Sequence, residues 1–514
     1  MILLPTPKQL EVFEEKFVLR YDAYIVLEDG CSPLHRRQAF LFQKKIEERT
    51  GLALHLTAGK ARDGDILLRY DPQMDAQPES YAIEIGSRGV VLAGSEQGLF
   101  WAVQTFCQIL EQYGCCLPQL RLQDAPSLPY RGYYHDVTRG RVPTLHFLKQ
   151  LADKLSEYKL NQMQLYIENT YLFRDFSEVW RSDDPLTPEE IIELDDYCYE
   201  RGIELVPSIS TFSHLYQVLR TRQFSYLCEL ENSCDDPFDA WDKQDHHTID
   251  ITNPDSFPFV CRMIDEYRPL FRTRLFNLCA DETFDLGLGR SQEYCRQVGK
   301  DTAYVGFVKK LCDHLIQKGC RPMMWGDIIG KYPDLVQQLP KEMIYLNWGY
   351  SPTVKEDESR QFAQVQATFY NCPGVLSWSR LVNSVQDSYR NIRRMAEYAH
   401  RFGAVGLLNT DWGDFHHICH PTFSFPGAAI GAQFGWSEQP MEYDELMQSI
   451  SVLEFGQQLP QAAGWIGEID RHILYSWMAI CVFYEYQTYH KHKGTESVRQ
   501  FVDSRFSSEQ TAEQ

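Results

Sequence analysis

Asp281 and Glu282 stand side by side in the stretch NLCADETFDLG, after a mostly apolar run from Leu275 to Cys279 and before a glycine-punctuated turn. On a surface loop such a pair is simply solvated. At the end of a buried strand it becomes a proton donor next to a group that stabilises developing positive charge, the two parts of acid/base chemistry held in one place. Other chemically capable residues follow apolar runs in the same way: His135 and Asp136, Glu168 and Asn169, His214, Trp325 and Asp327, Trp348 and Tyr350, Tyr370 and Asn371, then Asp411, Trp412 and Asp414. A metal site would have to rest on DFHHICH, with His416, His417, Cys419 and His420. No second cysteine pair or carboxylate-bearing helix stands beside it, so it reads as a polar loop and no metal is expected.

The elements that must position these residues are eight short strand-like runs, at 130–137, 162–168, 204–210, 275–281, 321–327, 344–349, 367–373 and 404–410. Amphipathic helical stretches such as TPEEIIELDDYCYERG separate them, several closed by glycine. Strand and helix alternating eight times is the pattern of a closed parallel (β/α)8 barrel, the TIM barrel, whose reactive groups gather at the C-terminal ends of the strands. A doubly wound open sheet is the rival, but no glycine-rich phosphate fingerprint follows any strand. Residues 1–125 read as a small α+β domain with strands in DAYIVLED, LALHLTA, DILLRY, YAIEI and VVLAG and two helices. The first helix opens at Ser32 and Pro33 and ends at Gly51; the second runs from Ser95 to Gly114. QDAPSLPY reads as a linker, residues 126–440 as the barrel, and 441–514 as a helical extension ending in a disordered polar tail, SSEQTAEQ.

Carboxylates, a histidine and several tryptophans on one barrel rim describe a sugar site, in which ring faces stack on aromatics and charged side chains hold hydroxyls. Any single Trp or Tyr more often fills the barrel mouth structurally, but collectively the sugar reading is favoured.

Four ordered stretches, YRGYYHDVTRGRVP, LADKLSEYKLNQMQLYIENT, ELVPSISTFSH and FNLCADET, resemble successive motifs of glycoside hydrolase family 20, the β-N-acetylhexosaminidases. The likeness covers residues 1 to about 440, the small N-terminal domain included. It implies an exo-acting retaining hydrolase of terminal β-linked N-acetylhexosamines, in which the substrate's own acetamido oxygen attacks the anomeric carbon and forms an oxazolinium; family 20 is an exception to the two-carboxylate rule. Carried over by position, Glu282 matches the general acid/base, Asp281 the residue that orients the acetamide, and His214 a histidine coupled to the acid. Arg131 matches an arginine on the sugar hydroxyls, Trp325, Trp348 and Trp412 the aromatic walls, Tyr370 the tyrosine on the acetamido oxygen, and Asp414 an outer hydroxyl contact. Glu168 and Asn169 are further candidate substrate contacts. Glu282 is expected to have its pKa raised by burial and by Asp281, so that it holds a proton at neutral pH.

The chain departs from the family pattern twice. Cys279 and Ala280 stand where most members carry two glycines. Glu168, Asn169 and Thr170 stand where consecutive aspartates are usual, which leaves open whether Glu168 takes the partner role toward His214. Two alternatives therefore stay open: a retaining two-carboxylate glycosidase with Asp327 or Asp414 as nucleophile, and a non-catalytic glycan-binding barrel. The long acidic and aromatic insertion at 212–253 is expected to wall the leaving-group side.

Bulk properties set the surroundings. At 514 residues two or more domains are expected. A net charge of -21 argues against nucleic acid and anionic membranes and for a neutral or cationic ligand. The start, MILLPTPKQLEVFEEKF, lacks the basic and apolar parts of a signal peptide, and the fifteen scattered cysteines read as free thiols of a reducing compartment, so a cytoplasmic location is expected. No organic cofactor is expected, and oligomeric state stays open: the aromatic stretch Ile473 to Tyr489 reads equally as barrel cover or subunit contact.

Overall fold

The computed structural model describes residues 1–489 apart from 182, 232–234, 236–237, 328–329, 331–332 and 474–475. The tail expected to be disordered lies outside the described residues. Seven strands form the first sheet: β1 (Gln9–Val18), β2 (Tyr24–Leu27), β3 (His55–Ala58), β4 (Ile66–Tyr70), β5 (Tyr81–Gly86), β6 (Gly89–Gly94) and β7 (Cys116–Asp124), in the order β1-β7-β5-β6-β4-β2-β3. Helices α1 (Pro33–Thr50) and α2 (Gly98–Tyr113) cover it. Ser32 caps α1 by accepting from the His35 N–H, and Gly51 closes it with a left-handed φ of 73°. Two of the seven strands, β1 and β7, were not foreseen. They pair antiparallel at the sheet edge, and nearly every β1 residue faces solvent, so β1 lacks the apolar alternation that marks a half-buried strand.

The second unit is a closed barrel of eight parallel strands: β8 (Tyr130–Asp136), β9 (Gln162–Ile167), β10 (Glu204–Ile209), β11 (Leu275–Asn277), β12 (Arg321–Trp325), β13 (Ile344–Trp348), β14 (Thr368–Cys372) and β15 (Gly406–Asp411). Each coincides with one expected run. The chief helices around it are α3 (Leu145–Glu157), α4 (Pro188–Tyr199), α5 (Ala240–Asp245), α6 (Ser256–Tyr267), α7 (Lys300–Gln317), α8 (Asp357–Gln364), α9 (Val385–Phe402) and α10 (Phe425–Trp436). The last of these, apolar all round, is buried along its whole length and delivers Trp436 into the core of the first unit. Beyond the barrel lie α11 (Tyr443–Phe455), α12 (Ala462–Arg471) and α13 (Trp477–Tyr489). None of the described helices is long and apolar enough to cross a membrane, and the described cysteines are free thiols.

Candidate active site

The fourth barrel strand is the shortest, ending at Asn277, and the chain leaves it in an irregular turn. Cys279, Ala280 and Glu282 all adopt left-handed backbone, with φ of 56°, 64° and 45°. That conformation takes the segment out of the strand ladder, so its backbone groups are satisfied from elsewhere. Thr211 Oγ1 donates to Leu278 O at 2.6 Å, Tyr304 Oη to Ala280 O at 2.7 Å, the Trp325 N–H to Cys279 O at 3.0 Å, and Ser213 Oγ to Asp281 O. Behind the turn Asp327 Oδ2 accepts the Glu282 N–H at 3.4 Å. The two carboxylates are thus presented by a tied-down turn.

Both converge on His214, whose Nε2 lies 3.4 Å from Asp281 Oδ2 and 3.4 Å from Glu282 Oε2. The ring is fully buried and stacks on His247 at 4.3 Å between centroids. His247 accepts the His214 backbone N–H on Nδ1 at 2.9 Å and donates from Nε2 to Gln244 O at 2.6 Å, which suits a neutral ring; burial pushes its pKa well down. For His214 burial alone would do the same, but the charge of Asp281 and polar contact with both carboxylates outweigh it and raise the pKa to about 10. On the far side Arg139 Nη2 lies 3.2 Å from Nδ1. A guanidinium only donates, so Arg139 favours a lone pair on Nδ1 and opposes the second proton that the two carboxylates favour. In either protonation state Nε2 carries a hydrogen toward the carboxylates.

Arg139 is the hub of the rim. Its Nε donates to Glu168 Oε1 at 3.0 Å and its Nη1 to Asp414 Oδ1 at 2.5 Å, and its guanidinium lies 5.4 Å above the Trp412 ring. Asp136 organises the approach, accepting the N–H groups of Thr138, Arg139 and Gly413 at 2.9, 3.0 and 2.9 Å. The two loops come so close that a Cβ on Gly413 would sit 2.7 Å from Arg139 O, which explains glycine there. Burial raises the pKa of Asp414, with Arg139 opposing.

These groups line a pocket of about 310 Å³. Its floor is aromatic: Trp325 and Trp412 rings are 5.4 Å apart, and Trp348 stacks on Tyr350 at 5.1 Å. Tyr350 Oη accepts from Trp412 Nε1 at 2.8 Å and also meets the Thr410 hydroxyl. Asp281 Oδ1 is buried with no hydrogen-bond partner, an acceptor available to an incoming N–H. Glu282 is more open, with 34% of its side chain exposed, so burial around it is only partial. The mouth is formed by Trp241, Gln244 and Asp245 of α5, Phe284, Phe415, and Met478 of α13.

Of the residues singled out from sequence, Asp281, Glu282, His214, Trp325, Trp348, Trp412 and Asp414 meet in this pocket. Four do not. Arg131 opens β8 and so lies at the opposite end of the barrel, fully buried, paired with Glu79 and donating to Lys159 O and Leu128 O. Tyr370 points the same way: its ring stacks on Tyr130, the first residue of β8, at 5.4 Å. Glu168 lies behind Arg139, accepting from it and from Tyr166 Oη at 3.0 Å, with Lys243 Nζ at 3.5 Å; these cations outweigh burial and lower its pKa. Asn169 donates to Asp183 at 3.2 Å. His214 therefore has an arginine on Nδ1, and Glu168 reaches it only through that arginine. Sequence reasoning missed Arg139 and His247, and it named Tyr350 at a strand end without giving it a role. Arg139 carried a usable signal, because it follows the end of β8 whereas Arg131 precedes it, and barrel chemistry belongs to strand ends.

Among the described residues, His214, Asp281 and Glu282 are the one group whose ligand atoms converge closely enough for a metal, within 4.8 Å of one another. The donor set fits poorly, since the His214 nitrogen that faces the carboxylates is the one that carries hydrogen.

Comparison with known proteins agrees with this layout. Residues 1–125 match Glycosyl hydrolase family 20, domain 2, and residues 128–373 match Glycosyl hydrolase family 20, catalytic domain. The chain is 26% identical to a Lacto-N-biosidase of Bifidobacterium bifidum over 380 residues, 71% of this chain and 31% of that protein. It is 25% identical to a Beta-hexosaminidase of Vibrio furnissii over 354 residues, 61% of this chain and 54% of that one. It thus spans between about a third and about half of the length of these relatives. The fold is shared with the β-N-acetylhexosaminidase from Bacteroides fragilis, at a TM-score of 0.73 and 18% identity, covering 93% of this chain and 99% of that one. It is shared too with an exo β-N-acetylglucosaminidase from Vibrio harveyi, at a TM-score of 0.71 and 16% identity, covering 90% and 78%. With a preceding domain and a catalytic domain matched in order, on a barrel whose fourth strand leads into the turn that carries Asp281 and Glu282, the chain belongs to glycoside hydrolase family 20.

Proposed function

We propose that the protein is an exo-acting, retaining β-N-acetylhexosaminidase that removes terminal β-linked N-acetylglucosamine or N-acetylgalactosamine by substrate-assisted catalysis. The observation that carries this reading is the buried, unpartnered Oδ1 of Asp281 beside the half-open Glu282. An acetamido N–H donated to Asp281 would aim the carbonyl oxygen at the anomeric carbon and leave a carboxylate against the positive charge that develops as the ring closes. Tyr350, on the pocket wall, is placed to turn its hydroxyl hydrogen from Thr410 to that carbonyl oxygen. Glu282 gives its proton to the leaving oxygen, then takes one from the water that reopens the oxazolinium. His214, fixed by His247 and Arg139, keeps an N–H between the two carboxylates. A pocket at the small end of ligand sites, floored by tryptophan, suits one terminal sugar and hence exo action.

The two-carboxylate alternative finds less support. Asp327 is engaged with the Glu282 backbone and Asp414 is held by Arg139, so neither is poised as a nucleophile. A panel of aryl β-glycosides of glucose, galactose, N-acetylglucosamine and N-acetylgalactosamine tests the proposal. Turnover is expected only where the acetamide is present. Comparable cleavage of the glucoside or galactoside would contradict it.

A further inference from the structure

Exposure rises steadily from the floor of the pocket to its mouth: Trp325 and Trp412 are buried, whereas Phe284 is 47% exposed and Trp241, Gln244, Asp245 and Met478 are half-buried. If the terminal sugar fills the floor, as the proposed activity requires, the leaving group lies against this mouth. The wall there comes from outside the eight strands. Helix α5 belongs to the insertion after β10, and α13 is the last helix described. The two are joined to each other and to the rim. Glu485 accepts the Ala240 N–H, at the start of α5, at 3.0 Å, and Val482 packs with Ala240 and Phe415 in one small buried cluster. Trp477 donates from its backbone to Ser379 O at 2.9 Å and from Nε1 to Phe415 O at 2.6 Å. One face of α13 is therefore committed to the barrel and carries Met478 to the pocket, while Phe483 and Tyr484 face solvent.

Carboxylates outnumber cations among the residues that line the pocket. Asp245 stands in the mouth beside Glu282 and Asp414. Among the described residues, Arg139 is engaged with Glu168 and Asp414, Lys243 with Glu168 at 3.5 Å and His246 with Asp285 at 2.8 Å, while Lys300 Nζ lies outside the mouth, 3.4 Å from Phe284 O. The molecule as a whole carries a formal charge of -21.

Resting on the activity proposed above, we infer that α5 and α13 together form the leaving-group site, and that it admits uncharged sugar leaving groups and repels anionic ones. The apolar faces of Trp241, Phe284 and Met478 supply stacking for a sugar ring, Gln244 a polar contact, and Asp245 the repulsion.

The experiment compares kcat/KM for a disaccharide of two β-linked N-acetylglucosamine units with that for the same disaccharide sulfated on its reducing unit. The parent is expected to favour the neutral substrate by at least about tenfold. Raising salt from about 0.01 to about 0.1 M, which shortens the screening length from about 30 to about 10 Å, should narrow the preference. Asp245→Asn should narrow it by about threefold or more, and Met478→Lys, placing a cation on the α13 side, should narrow it further. Equal efficiency on both disaccharides, or a preference that neither substitution moves, would overturn the inference while leaving the activity intact. Failure to cleave the neutral disaccharide and the aryl N-acetylglucosaminide alike would bring down the activity itself, and this inference with it.

Discussion

Two carboxylates on one imidazole N–H divide their work by surroundings: Asp281 is 8% exposed and keeps a bare oxygen, whereas Glu282 reaches open space on the leaving-group side. Glu282→Gln is expected to lower kcat on an unactivated disaccharide by about a hundredfold or more, the worth of a general acid; a loss below about threefold would mean that another group delivers the proton. Arg139→Met should take from the buried Glu168 carboxylate and from Asp414 the cation they share, lowering stability in urea unfolding by up to about 3–5 kcal/mol as well as impairing turnover. Arg131→Met, at the opposite end of the barrel, should lower stability but leave KM unchanged; a raised KM would restore Arg131 to the sugar site. These two arginines also show what the sequence could and could not reveal about the site. Both lie in YRGYYHDVTRGRVP, and only their position relative to the strand separates floor from rim. Tyr370 and Tyr350 differ in the same way: Tyr370 faces the strand starts, whereas Tyr350 follows the end of β13 and reaches the pocket. His247 was illegible, because its pairing with His214 depends on how a long insertion folds back.

At the scale of elements, the eight barrel strands were legible because a parallel strand buried on both faces must read as a short apolar run between helices. β1 was not, since its residues are largely exposed and its place is fixed by pairing with β7 across more than a hundred residues of chain. The turn after β11 is where local preference and fold conflict. Cys279 and Ala280 hold left-handed backbone, which only glycine adopts without strain, and strain of this kind gathers at active sites. Ala280→Gly is expected to stabilise the protein by about 1 kcal/mol, the relief of left-handed strain less the extra freedom of the unfolded chain. A loss of stability in urea unfolding would mean that the Ala280 side chain contributes more by packing than its backbone loses.

Over the whole molecule, the first unit and the barrel are joined through a buried polar contact at the strand starts. Lys159 Nζ lies 4.0 Å from Asp124 Oδ2 and 4.9 Å from the Trp436 ring centroid, and Asp124 also accepts from Tyr81 and Trp436 at 2.7 and 2.9 Å. Burial lowers the Lys159 pKa to about 8, with Asp124 opposing and Arg131 adding to the effect. A lysine whose folded pKa lies below its unfolded value of about 10.4 favours the neutral form in the fold, so it costs stability below about pH 8 and the cost fades as pH rises toward 10.4. The shift corresponds to roughly 3 kcal/mol. Lys159→Met should therefore be the more stable chain near pH 7, with the gap closing toward pH 10; parallel stability curves would show that Lys159 carries no such cost. The origin of the nucleophile is tested most directly by turnover of aryl N-acetylglucosaminide against its N-trifluoroacetyl analogue. Fluorine withdraws electron density from the amide oxygen. If that oxygen attacks the anomeric carbon, kcat/KM should fall by about a hundredfold or more, about 3 kcal/mol of barrier; equal turnover of the two would place the nucleophile on the protein and contradict the account.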